Sequence, residues 1–196
     1  MEEIKEALAV VVDSVDRAKR ISTNLLVFAR KQETKMEMAD VTEAVENALQ
    51  LMERELDRSN IRVVRNASEV PPLVCDSAQI SQVCLNLLPN ARDAMLPDGG
   101  TLAVEVRKDQ DEIVIAFSDT GSGIPDHIMD KLFQPFVTTK GSLGGGELSG
   151  TGLGLYVSYG IVKNHGGTIN VKTEIGKGST FMARLPMRGS ETQTAL

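Results

Sequence analysis

Residues 82–95, QVCLNLLPNARDAM, constrain the fold more than any other stretch of this 196-residue chain. Leu85, Leu87, Leu88 and Ala91 require a helix packed deep among other elements. Into that helix the sequence places Asn86 and Asn90, four apart and therefore on one face. Between them stands Pro89, which removes a backbone donor at a cost of about 3 kcal/mol and frees a carbonyl near Leu85. A buried amide needs a partner. The asparagines are either two solvated residues on an outer face or the polar lining of a site.

The surrounding pattern shows what that helix packs against. Residues 2–33 hold no Gly or Pro, and Ile4, Leu8, Val11, Val15, Ala18, Leu25 and Ala29 step by fours and threes, interrupted only at Ser22. This predicts a long helix that seeks partner helices, so a dimer or bundle is favoured over packing on its own domain. Asp40 and Glu43 open a second helix, with Val41, Ala44, Val45, Ala48, Leu49, Met52 and Leu56 on its buried side. Asp76 and Gln79 repeat that signal and start the helix of 82–95, which should end near Met95. Met36–Asp40 and 61–67 read as strands, 101–108 and 112–119 as a hairpin, and 167–174 with 179–186 as a second hairpin. A short helix follows Pro125, and another covers 153–165. Residues 137–150 carry five glycines and few large apolar side chains, so they read as a long mobile loop. The polar tail 188–196 reads as flexible.

With no Trp and 4% aromatic residues, the core must rest on Leu, Val, Ile, Met and Ala. The net charge of -6 disfavours a surface that tracks nucleic acid, though a single nucleotide needs only a local site. Cys75 and Cys84 form no CxxC pattern, which favours a reducing, cytoplasmic setting. No apolar run reaches the roughly 18 residues of a membrane span. The acidic start MEEIKE is unlike a signal peptide.

Three glycine-bearing stretches are candidates for chemistry. In FSDTGSGIP (117–125), Asp119 ends a strand and could accept a hydrogen bond from an exocyclic amine, or be a plain Asp-Gly turn. In GTGLGLYVS (150–158), glycines lead into a helix N-terminus, whose N–H groups attract anions. The spacing is GxGxG, neither a Walker motif nor GxGxxG. GKGSTF (176–181) reads alone as a simple turn. The Asn90 carbonyl is a hard ligand suited to Mg2+, which takes few protein ligands beside phosphate oxygens and water.

Taken in order, LNLLPNARDAM, DTGSGI, LFQPFVTTK, GTGLGL and GKGSTF resemble the ATP-binding catalytic domain of sensor histidine kinases. That family lies within the gyrase, chaperone and histidine-kinase superfamily. The likeness spans residues 36–186, and RAKRISTNLLVFARKQE (17–33) resembles the second helix of the family's dimerisation and phosphoacceptor domain. The resemblance implies an α+β two-layer sandwich of the Bergerat type, with a mixed sheet of about five strands packed on helices after a long N-terminal helix. It divides the chain into 1–34, a partial dimerisation helix, 35–187, the catalytic domain, and the tail 188–196.

The resemblance also implies ATP and Mg2+ as cofactors. Asp119 would hold the adenine amine, directly or through a water on Thr180, with Gly121, Gly123 and Ile124 around the base. Asn90 would ligate Mg2+ and Asn86 would lie near the phosphates. Gly150, Thr151, Gly152, Leu153 and Gly154 would hold phosphates, and Phe133 and Phe136 would anchor a lid over 137–151. Asp93 stands where many members carry a basic residue, so Arg92 or Lys140 would supply positive charge. Asn86 also replaces the glutamate by which hydrolysing relatives activate water, and an amide is no general base. The implied reaction is transfer of the γ-phosphoryl group to a histidine, with a response regulator as the next partner and a homodimer through the N-terminal helix. The alternative is a superfamily ATPase that drives dimer opening and closing. His127 and His165 are the only histidines; both read as structural or surface residues. The expectation is a chain that binds Mg-ATP without phosphorylating itself.

Overall fold

The computed structural model describes residues 34–137 and 152–187, together with Val11. The N-terminal helix, its proposed dimer seam, the lid segment and the tail therefore lie outside the described residues.

Three strands and two long helices come first. Strand β1 (Glu37–Ala39) leads to helix α1 (Val41–Arg58), then β2 (Ile61–Ala67), β3 (Leu73–Cys75) and α2 (Ser77–Ala94). Strands β4 (Gly100–Asp109) and β5 (Glu112–Asp119) follow, then a single turn α3 (Asp126–Met129), helix α4 (Gly154–Asn164) and the hairpin β6 (Thr168–Glu174) and β7 (Gly178–Pro186).

Both long helices start where side-chain chemistry allows. Asp40 is extended and its carboxylate accepts from Thr42 N at 2.8 Å; Asp76 does the same for Gln79 N at 3.0 Å. Each satisfies a donor that the helix itself cannot. Asp40→Ala should lower stability by about 1 kcal/mol, read as a shift in the urea midpoint at unchanged slope. On α1 the buried residues are Val41, Ala44, Val45, Ala48, Leu49, Met52 and Leu56, the stripe that the 3.6-residue period selects. Helix α2 buries Ile80, Val83, Cys84, Leu87, Leu88 and Ala91 and carries Pro89 inside it.

The main sheet runs β2-β4-β5-β7-β6, with β2 and β4 parallel and the other neighbours antiparallel. A separate pair, β1 with β3, is antiparallel. Strand β3 escapes a pattern reading because three residues after Pro71-Pro72 give no alternation to detect. Leu102, Val104 and Val106 of β4, Ile115 and Phe117 of β5, and Phe181, Ala183 and Leu185 of β7 are buried. Register puts them on one face, which the helices cover. Asp119 and Ser179, opposite one another at the end of β5 and the start of β7, continue that inner face as buried polar residues.

The start of α2 is joined to the end of α4. His165, just past α4, is buried; its Nε2 accepts from Asp76 N at 3.0 Å, while Nδ1 lies 2.8 Å from Ile161 O. An accepting Nε2 and a carbonyl beside Nδ1 describe the neutral ring with its proton on Nδ1. The Asp76 carboxylate also accepts from Lys35 N at 3.0 Å, which ties the segment before β1 to the same corner. His165 is thus a structural residue, as the sequence suggests, and His127 is exposed.

Candidate functional site

The residues singled out in the sequence collect along one face of α2. Asn86, Asn90 and Ala94 are spaced by four and so lie in a row. At one end of the row, Asn86 Nδ2 donates to Gly154 O at 3.1 Å and Ser158 Oγ at 3.2 Å, and its Oδ1 accepts from Gln82 Nε2 at 3.1 Å. At the other end, Ala94 O accepts from Ser122 N at 2.9 Å, in the loop after Asp119. Half-buried Asn90 stands between. Four residues of helix span about 6 Å. Asn90 is therefore about one turn from the start of α4 on one side and from the Asp119 loop on the other.

Asp119 is 7% exposed. Its Oδ1 accepts from Gly121 N at 2.9 Å and Ser179 N at 3.2 Å. Burial holds its carboxyl above the usual carboxylate range, and the two backbone donors pull the other way. Both of these bonds fall on Oδ1 rather than Oδ2.

The start of α4 is the second polar feature. Leu153 is its N-cap residue and no side chain caps the helix. As at any helix start, the first-turn N–H groups of this eleven-residue helix have no carbonyl partner within the helix, and its first residue, Gly154, accepts from Asn86. Gly152, at φ +65°, lies against the Phe136 backbone, where an added Cβ would come within 2.5 Å of carbonyl carbon. Phe136 N donates to Gly152 O at 2.9 Å, which closes the base of the segment between them. Phe133 stacks 5.7 Å from Tyr159 on α4. The Phe136 ring is 71% exposed, so its anchoring is through backbone alone.

Several expected roles change. Arg92 is engaged elsewhere: its guanidinium bonds Asp93 Oδ1 at 2.9 and 2.7 Å and pairs with Glu55 on α1. Two positions along a helix turn a side chain by about 200°, so Arg92 points away from Asn90. The same ion pair answers the Asp93 departure, because its charge is matched by Arg92. Thr180 also faces the wrong way: its hydroxyl donates to Ser118 Oγ at 2.9 Å on the outer face of the sheet. Ser179 takes the inner place beside Asp119. The alternation of Phe181, Ala183 and Leu185 could have identified it, since residue 179 shares their face. Gly121 and Gly123 are glycines because protein backbone is near. An added Cβ would lie 2.5 Å from Ala94 O and 2.4 Å from Glu174 O respectively. Ile124 N donates to Thr173 Oγ1 at 2.8 Å. Lys140, Gly150 and Thr151 lie outside the described residues.

Among the described residues no group of three His, Cys, Asp or Glu could hold a metal. A site formed by the Asn90 amide oxygen and a ligand's own phosphates suits Mg2+, which keeps few protein ligands. Among the same residues no helix is long and apolar enough to cross a membrane.

Comparison with known proteins identifies the family. Residues 75–189 match the family model described as histidine kinase-, DNA gyrase B-, and HSP90-like ATPase. Sporulation kinase E of Bacillus subtilis is 35% identical over 181 residues, 91% of this chain and 23% of that protein. Sensor kinase CckA of Brucella abortus is 35% identical over 191 residues, 90% of this chain and 20% of that protein. The chain thus spans less than a quarter of these relatives. Among solved structures, the Acinetobacter baumannii histidine kinase AdeS superposes with TM-score 0.72 at 25% identity, covering 96% of this chain and 86% of that one.

Proposed function

Because the chain belongs to the family of histidine kinase-, DNA gyrase B- and HSP90-like ATPases, we propose that it is the ATP-binding catalytic module of a two-component sensor histidine kinase. The observation that carries this reading is the row Asn86–Asn90–Ala94. It runs from the start of α4 to the loop of Asp119, so one nucleotide can reach an acid at one end and helix N–H groups at the other.

In this reading Asp119 Oδ2 accepts from the adenine amine, Asn90 supplies an amide oxygen to Mg2+, and the first turn of α4 receives phosphate oxygens. Bound Mg2+ would neutralise charge on the phosphates during transfer. Asn86 acts as a tie: both ends of its amide are engaged with Gly154, Ser158 and Gln82, and it has no basic atom to activate water. That favours holding ATP for an external nucleophile over hydrolysing it. An imidazole is already nucleophilic, so positioning and charge neutralisation are the main demands on the protein.

The acceptor would be a histidine on a partner helix, and the heptad pattern of 2–33 would pair two copies of the chain. A response regulator receiver domain would take the phosphoryl group next. Kinase ThkA, whose fold matches this chain with TM-score 0.78 at 21% identity, has been solved in complex with the response regulator TrrA.

The test is transfer in trans. The chain, Mg-ATP and a separate domain bearing a histidine helix are mixed, and acid-labile phosphate is measured on that domain. Transfer that disappears with Asn90→Ala is expected. Steady release of inorganic phosphate without transfer would instead support the dimer-gated ATPase.

A further inference from the structure

We propose that Thr173 is a positioning residue that turns the Ser179 hydroxyl into a pure acceptor, so that the base site selects purines bearing a 6-amino group. The proposal rests on the nucleotide reading above and concerns how that same site chooses its base.

Thr173 lies on the edge strand β6, opposite Ser179 in the register. Three groups surround its hydroxyl oxygen. Ile124 N is at 2.8 Å, Gly178 O at 3.2 Å and Ser179 Oγ at 3.0 Å. A hydroxyl has one proton and two lone pairs. In the proposed arrangement Gly178 O, which can only accept, takes the Thr173 proton. Ile124 N–H can only donate, so it fills one lone pair. The remaining lone pair must receive the Ser179 proton. Every valence of Thr173 is then used, and Ser179 has no proton left to offer a ligand.

Ser179 is buried beside Asp119, whose Oδ1 is occupied by Gly121 N and Ser179 N. What the pair presents is therefore Asp119 Oδ2 and the Ser179 lone pairs, acceptors only. An amine satisfies them. A carbonyl at the same ring position meets lone pairs with lone pairs, and leaving polar groups unpaired is where a site discriminates most strongly. Ile124 and Gly178 flank the two loops that enclose Asp119. A single hydroxyl thus ties both loops and sets the polarity of the base site.

The experiment compares ATP with ITP, which carries a 6-oxo group in place of the amine and a proton on N1, by calorimetry on the full chain. Thr173→Val frees the Ser179 proton to point into the site and should reduce the ATP-to-ITP affinity ratio about tenfold, the value of one neutral hydrogen bond. Thr173→Ser should restore the ratio. Ser179→Ala should lower it too, and adding Thr173→Val to Ser179→Ala should change it no further, because the two act through one proton. A ratio unchanged in Thr173→Val, or equal weakening of both nucleotides, overturns the proposal and leaves Thr173 a loop tie. If Thr173→Val does not fold, Ser179→Ala decides, and an unchanged ratio there overturns the proposal equally. Wild-type chain that binds neither nucleotide removes the nucleotide reading itself, an outcome distinct from either.

Discussion

Asp119→Asn is expected to weaken ATP binding about 30- to 100-fold while raising the thermal midpoint of the free protein at neutral pH. The substitution keeps shape and volume. Its carbonyl can still accept from Gly121 N and Ser179 N, the two bonds that hold Oδ1 now. The change falls on the other atom, where an acceptor oxygen becomes an NH2 that faces the donor amine. Losing a hydrogen bond to a charged group costs about 1.5–3 kcal/mol, and each 1.4 kcal/mol is tenfold in affinity.

The stability half of that prediction follows from linkage. Burial holds the Asp119 carboxyl above its ordinary value. An acid whose pKa rises on folding binds its proton more tightly in the folded chain. Stability therefore falls as pH climbs from the unfolded pKa, about 4, through the higher folded one, and then stays level. At pH 7 the whole cost is present, and an uncharged amide does not bear it. The gap in thermal midpoint between variant and wild type should thus be open at pH 7 and close below about pH 4. Thermal scans across pH, with calorimetric titration of ATP, check both halves. A variant that binds ATP as wild type does would remove Asp119 from the base site.

What could be read from the sequence alone follows the range over which each signal acts. Helices declare themselves locally: Asp40 and Asp76 mark their own helix starts, and the α1 stripe from Val41 to Leu56 is a matter of period alone. The motif order led the sequence reading to group Asp119, Asn86 and Asn90, and in the fold both asparagines share a helix row that ends, at Ala94, on the loop after Asp119. Faces and partners were harder. Arg92 and Asn90 are two positions apart, and only the helical turn separates their roles. Thr180 and Ser179 differ by one residue, which in a strand is the whole difference between outside and inside. Pairing of β5 with β7 joins segments some 60 residues apart, so no local pattern sets Ser179 opposite Asp119. The Asp76–His165 bond, across 89 residues, is equally invisible from the chain alone.

Gly178→Ala should do more damage than any surface change in the domain, lowering stability by about 3 kcal/mol and abolishing ATP binding with it. Two costs combine. Gly178 has φ +106°, a backbone region closed to L side chains, which alone costs on the order of 1–3 kcal/mol. An alanine methyl there would also lie 1.9 Å from Asp119 O. That oxygen belongs to the backbone of β5 and has no flexible side chain by which to move away. Relief requires opening the β5–β7 ladder where Asp119 pairs with Ser179, and the opening takes Ser179 N away from the Asp119 carboxylate. Gly176 separates the two costs. It has φ +77° in the same hairpin turn, but nothing lies within 4 Å of its added Cβ. Gly176→Ala should therefore lose only the backbone share of stability and keep its ATP affinity. Chemical denaturation and ATP titration of both variants give the answer. Equal losses in the two would mean that the collision with Asp119 carries no weight, and that strand β7 can shift at its start without disturbing the acid.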